Sequence, residues 1–255
     1  MSSGAHPSTL GSVATRNDMR RKDNANGEHV VGIVVILVII ALVSLPQLWV
    51  RRELKAHGVH RPDLPGTGGE LAKHLIEHYG LDGIAVETTN RGDHFDPNAK
   101  AVRLTPNVHD GRSLTAVAVA AHEVGHAIQH QRNERGLRWR NSLVRVAQVS
   151  EKFAAVFFIG APILAAFLRT PGALFGMVAI GVAFLGIRVL VHLITLPVEF
   201  DASFGKALPI LKSGGYLDAA DLPAARSVLR AAAFTYVAST LMGLIDLARW
   251  LRFLR

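Results

Sequence analysis

Residues 30–50 read VVGIVVILVIIALVSLPQLWV, 21 positions without a charged side chain. At about 1.5 Å per helical residue such a run covers the ~30 Å hydrocarbon core of a bilayer. Arg51 and Arg52 stand where a cleavable signal would carry small residues, so a retained span is expected rather than a signal peptide. The apolar signal returns at 153–168, stops at Arg169-Thr170-Pro171-Gly172, and resumes over 173–196. That pattern predicts a helical hairpin in the membrane over 146–196. A last apolar run at 231–247 leads into a basic tail with Arg249, Arg252 and Arg255, and predicts a shorter, tilted C-terminal membrane helix over 231–255.

Composition narrows the function classes. Charged residues are only 19% of the chain and mean hydropathy is +0.26, which excludes global disorder. There is no cysteine, which excludes a disulfide scaffold, a thiolate metal site and a cysteine nucleophile. The net charge of +8 in so apolar a chain points to anionic lipid headgroups and a bilayer partner, not to nucleic acid. Residues 1–29 form a polar extension, expected to be disordered. Residues 51–145 carry mixed charge and turn signals. Within them, 70–79 has helical periodicity, 84–88 and 101–105 read as short strands, and 93–98 reads as a turn. Residues 114–130 predict a strong helix, with Ser113 as its N-cap.

That helix holds Ala121-His122-Glu123-Val124-Gly125-His126, an H-E-x-x-H string. Histidines at i and i+4 share one helix face about 6 Å apart along the axis, so His122 and His126 can reach one ion. Glu123 can then face a metal-held water and serve as its general base. His130 continues the face but lies about 12 Å from His122 along a straight helix, too far to share that ion. Gln129 and Arg132 fill the places where a longer metzincin pattern needs Gly and His. A zinc site needs a third protein ligand, and it must come from elsewhere. The best local candidate is the block 196–203, LPVEFDAS, whose carboxylates Glu199 and Asp201 both remain open on these grounds.

The strings AAHEVGHAIQH, GDHFDPNAKAVRLT, LPVEFDAS and LRAAAFTYVA, in this order and spacing, resemble the YugP-type membrane-bound neutral zinc metallopeptidases over roughly residues 30–250. The resemblance implies a Zn2+-dependent membrane endopeptidase acting on a peptide or protein substrate. By similarity to the related HtpX-type enzymes, whose third ligand is the Glu of E-x-x-x-D, it assigns that role to Glu199. Ser203 stands at the Asp position of that motif, so Asp201 is the candidate to support a ligand from behind, or to replace Glu199. In zincin-like folds an edge strand just before the active helix can pair with substrate backbone, which makes Val102, Arg103 and Leu104 the substrate-strand candidates.

The expected fold is therefore mainly α: a polytopic membrane protein with a small zincin-like α+β catalytic region over 51–145 and a third-ligand segment with helices over 197–230. Spacing alone adds a polar stripe of Arg188, His192, Thr195 and Glu199, if the helix continues through Pro197. The alternative function is a membrane metal-handling or transport protein, which would not need a base such as Glu123 beside the histidines. A site-2-type intramembrane protease fits less well, because Gln129, Gln131, Arg132 and Asn133 follow the helix at once. Arg132, Arg135, Arg138, Arg140 and Arg145 precede the expected hairpin, while its connecting loop carries Arg169 alone. This bias predicts an integral protein of the cell (inner) membrane with its catalytic site facing the cytoplasm.

Overall fold

The computed structural model describes residues 41, 44–168 and 171–235. The N-terminal extension, most of the first expected span and most of the last lie outside the described residues. Helix α1 (44–56) leads to α2 (Gly68–His78) and then to a sheet of β1 (Ala85–Thr88), β2 (His94–Asp96) and β3 (Ala101–Leu104). The single turn α3 (Pro106–His109) precedes α4 (Leu114–Gln131). Two long helices, α5 (Arg135–Leu168) and α6 (Pro171–Phe200), form an antiparallel pair. α6 runs without a break into a π-helical segment, Asp201–Ala207, followed by α7 (Leu208–Ser213) and α8 (222–235).

Local chemistry sets the helix starts. Thr67 and Glu70 close a capping box at α2: the Glu70 amide donates to Thr67 Oγ1 at 3.2 Å and the Thr67 amide to Glu70 Oε2 at 2.7 Å. Ser113 caps α4 by accepting from the Ala116 amide at 3.1 Å, a contact of about 1 kcal/mol. α4 is buried from Leu114 through Gln129 save Thr115, as befits the central helix of the core, and its His122, Glu123, His126 and Gln129 are buried with it. α2, the sheet, α7 and α8 pack around it. Leu75, Val102, Leu104, Val124, Leu211 and Leu229 are each less than 2% exposed. Each such leucine contributes about 1.5–3 kcal/mol by burial.

α1 and α8 are tied over this core by polar contacts. Ser227 Oγ donates to Glu53 Oε2 at 2.7 Å, and Thr115 Oγ1 donates to the Leu54 carbonyl at 2.8 Å. The Arg61 guanidinium forks onto Asp221, with both bonds at 3.0 Å.

Three expectations need correction. No helix among the described residues is long and apolar enough to cross a membrane, which overturns the polytopic membrane fold. Arg135, Arg138, Arg140, Arg145 and Lys152 punctuate the first half of α5 and leave 16 uncharged residues, 153–168, or about 24 Å. In α6, Arg188 ends an uncharged run of 17 residues, 171–187, or about 26 Å, against the ~30 Å needed.

Second, residues 94–96 of the expected turn are strand β2. The turn itself is displaced to 97–100, where Asp96 Oδ1 accepts the Asn98 and Ala99 amides at 2.9 and 3.1 Å. Third, β3 is not an edge. It lies between β1, parallel in register Ala85↔Ala101 to Thr88↔Leu104, and β2, antiparallel with Phe95 opposite Val102. Both backbone edges are occupied at Val102 and Arg103, and Leu104 pairs with Thr88 of β1, so this stretch is not the free edge a substrate strand needs. Val102 and Leu104 point into the core, and Arg103 bridges the neighbouring strands, to Glu87 at 2.9 Å and Asp96 at 2.6 Å.

Candidate metal centre

α4 places His122 and His126 one turn apart with ring centroids 4.7 Å from each other and planes at 80°. Both are buried, at 4% and 3% exposure. α6 supplies the opposing group. It continues helically through Pro197, whose ring is exposed, and so carries Glu199 onto α4. Glu199 Oε2 stands 3.4 Å from His122 Nε2 and 3.2 Å from His126 Nε2. The three donor atoms lie within 4.8 Å of one another. The side chains of Arg188 and His192, members of the expected polar stripe, lie outside the described residues; Thr195 is buried.

The hydrogen bonds behind the histidines decide whether this set fits a cation. Ser203 Oγ donates to the Leu229 carbonyl at 3.2 Å, so it accepts from His122 Nδ1–H at 3.0 Å. Gln129 Nε2 donates to the Val198 carbonyl at 3.0 Å and to Asp201 Oδ2 at 2.7 Å. That fixes the amide so that its Oε1 accepts from His126 Nδ1–H at 2.9 Å. Each imidazole therefore turns an Nε2 lone pair toward the Glu199 carboxylate. Three electron-rich atoms converge in a buried space, an arrangement that repels itself unless a cation sits among them. Two neutral imidazoles and one carboxylate form a donor set of catalytic zinc sites.

Glu123 is 6% exposed and follows His122 on α4. Burial pushes its carboxyl up to about 7, with the Glu199 and Asp93 charges adding to the shift and His122 and Arg140 opposing it. Burial works against the Glu199 charge, and the Arg140 guanidinium favours it. A cavity of about 400 Å³ opens onto both acids and both histidines. Leu54, Phe95, Val119 and Ala232 give it apolar walls, and Asp93 and His94 stand at the β2 side.

Asp201 does not face the histidines. It is held by Gln129 and by Lys206, itself paired with Glu134 at 3.1 Å. His130 is likewise apart, its ring against Phe95 at 5.4 Å between centroids. Asp93 accepts from the Thr105 amide and hydroxyl at 2.6 and 3.0 Å, a structural duty. Gln129 and Ser203 are the site residues that sequence reasoning missed. The only signals were a glutamine at i+3 from His126 and a serine where the related motif has Asp. The helices meet at Gly125, where a Cβ would stand 2.9 Å from the Ala202 carbonyl, so any side chain there would push Ser203 and Glu199 away from α4.

Residues 32–255 match the family model described as "Putative neutral zinc metallopeptidase". Over 187 residues the chain is 38% identical to the protein called "Putative membrane protease YugP" of Bacillus subtilis (strain 168), covering 72% of this chain and 79% of that one. No solved structure matches the chain. With a buried His-His-Glu cluster at its centre and the family model extending from residue 32 to its last residue, the chain belongs to the neutral zinc metallopeptidase family.

Proposed function

We propose that the protein is a zinc-dependent endopeptidase in which His122, His126 and Glu199 hold the metal and Glu123 is the general base. The observation that carries this reading is the convergence of three lone-pair donors beside a fourth, buried acid in one cavity. Zinc in such a set supplies Lewis acidity and lowers the pKa of water toward neutrality. The Glu123 carboxylate, poorly solvated and hence basic, takes a proton from the attacking water. It returns that proton to the amide nitrogen as the C–N bond breaks.

The substrate strand moves from β3 to β2. Among the described residues β2 pairs on one side only, and His94 and Phe95 bring it to the cavity. A peptide laid along that edge gains main-chain hydrogen bonds over its length rather than at a terminus, which supports internal cleavage. Purified protein should carry one zinc per chain, lose peptidase activity to a chelator and regain it with added zinc. Activity indifferent to chelation would sink the proposal.

We further propose that the enzyme works at the cytoplasmic face of the cell membrane. The Bacillus relative is called a membrane protease. Phe153, Ile159, Ile163 and Phe167 of α5, with Phe175 and Leu190 of α6, are exposed apolar side chains of a kind that lipid would cover. Arg138 and Arg145 are exposed earlier on the same helix, α5. Lys73 on α2 is exposed and open to a label. A Lys73→Cys protein should sediment with membranes and stay unlabelled by an impermeant thiol reagent until cells are opened. Labelling in intact cells would reverse the assignment.

A further inference from the structure

The two oxygens of Glu199 have different partners. Oε2 faces His122 and His126, while Oε1 lies 3.0 Å from Arg140 Nη2. The carboxylate is 1% exposed and the arginine side chain 18%. Arg140 comes from α5, an element that contributes no metal-binding residue. Its reach is set one turn earlier, at Gly136, where a Cβ would stand 3.1 Å from Val198 Cγ2. α5 and α6 thus approach closely at the level of Val198, and the residue at i+4 from Gly136 lands over Glu199.

We propose that Arg140 is a positioning residue that makes Glu199 present a single oxygen, Oε2, to the metal. The inference rests on the reading of His122, His126 and Glu199 as a zinc site. A carboxylate can meet an ion through one oxygen or both, and one without a counter-charge is free to turn. A guanidinium at Oε1 opposes both outcomes. As an ion pair at 3.0 Å without hydrogen-bond geometry, it draws that oxygen toward α5 and holds the carboxylate with Oε2 toward the histidines. A fixed cation so near a metal site would otherwise only weaken binding, since like charges repel. Positioning and repulsion therefore predict opposite effects when the charge is removed.

Arg140→Gln and Arg140→Met are the tests, with Arg140→Lys as the conservative rescue and circular dichroism as the folding control. Zinc affinity is read by competition with a chelator, and ligand geometry by the visible spectrum of the Co2+-substituted protein. The neutral variants should bind zinc about 10–100-fold more weakly. Their cobalt bands should lose intensity as a second carboxylate oxygen enters the coordination sphere, and Arg140→Lys should recover most of both. Unchanged or tighter zinc binding with an unaltered cobalt spectrum in a folded neutral variant would overturn the role of Arg140 alone. Wild-type protein that takes up neither ion would overturn the metal-site reading, and this inference with it.

Discussion

Peptide hydrolysis by the Glu123→Gln variant should fall about 10²–10⁴-fold, the usual worth of a positioned general base, with zinc content unchanged. Glutamine keeps the size and one hydrogen-bonding oxygen of the side chain, so α4 and its histidines stay in place. It cannot accept and return a proton. The position also lacks the features of a structural acid: Glu123 is 6% exposed, burial is what raises its carboxyl, and among the described residues no hydrogen bond holds its carboxylate. A buried carboxyl kept without such a partner costs stability, so folding alone gives no reason to retain it, and Glu123→Gln should leave the melting temperature level or raise it. Zinc analysis, a peptide-cleavage assay and a thermal melt on the same preparation check all three statements. Residual activity near wild type would remove Glu123 from the mechanism, and loss of zinc would make it a ligand instead.

The parts of this site that were legible in the sequence are those fixed by local geometry. The i, i+4 relation of His122 and His126 holds in any helix, and Ser113 marks where this one begins. Glu199 is 73 residues from His126, and local rules left it level with Asp201. What placed it was the resemblance, and what makes it fit is that α6 stays helical past Pro197. Gln129 and Ser203 were hidden for a related reason. An amide and a hydroxyl are ordinary helix residues until a second helix puts an imidazole nitrogen or a carbonyl within 3 Å or so.

The sheet is hidden at β2, where Asp93, Pro97 and Asn98 carry strong turn chemistry on either side of three strand residues, the last of them Asp96. Once β2 is a strand, β3 becomes central and the outer edge passes to β2. The apolar runs were read for length and mean character alone. Arg188, and the arginines spaced along the start of α5, shorten the uncharged part of each helix.

Glu199→Gln should weaken zinc binding more than 100-fold, and Asp201→Asn no more than the roughly 10–100-fold typical of residues that support a ligand from behind. The difference follows from helix geometry. Two residues along this helix turn a side chain to roughly the opposite face, whereas four bring it nearly back to the same one. Glu199 and Ser203 therefore both meet α4, one at the Nε2 atoms and the other at His122 Nδ1. Asp201 is directed to Gln129 and Lys206 instead, and can act on the metal only through the Gln129 amide and His126. Glu199→Gln also removes the charge that faces Arg140 at 3.0 Å, so this variant should melt below wild type. Asp201→Asn leaves Lys206 its bond to Glu134 and should melt much closer to wild type. Chelator competition on both variants, with melts recorded beside it, gives the comparison. If Asp201→Asn empties the site and Glu199→Gln retains zinc, the two carboxylates exchange roles, and the close approach at Gly125 and Ala202 would have to be rebuilt to let Asp201 reach the histidines.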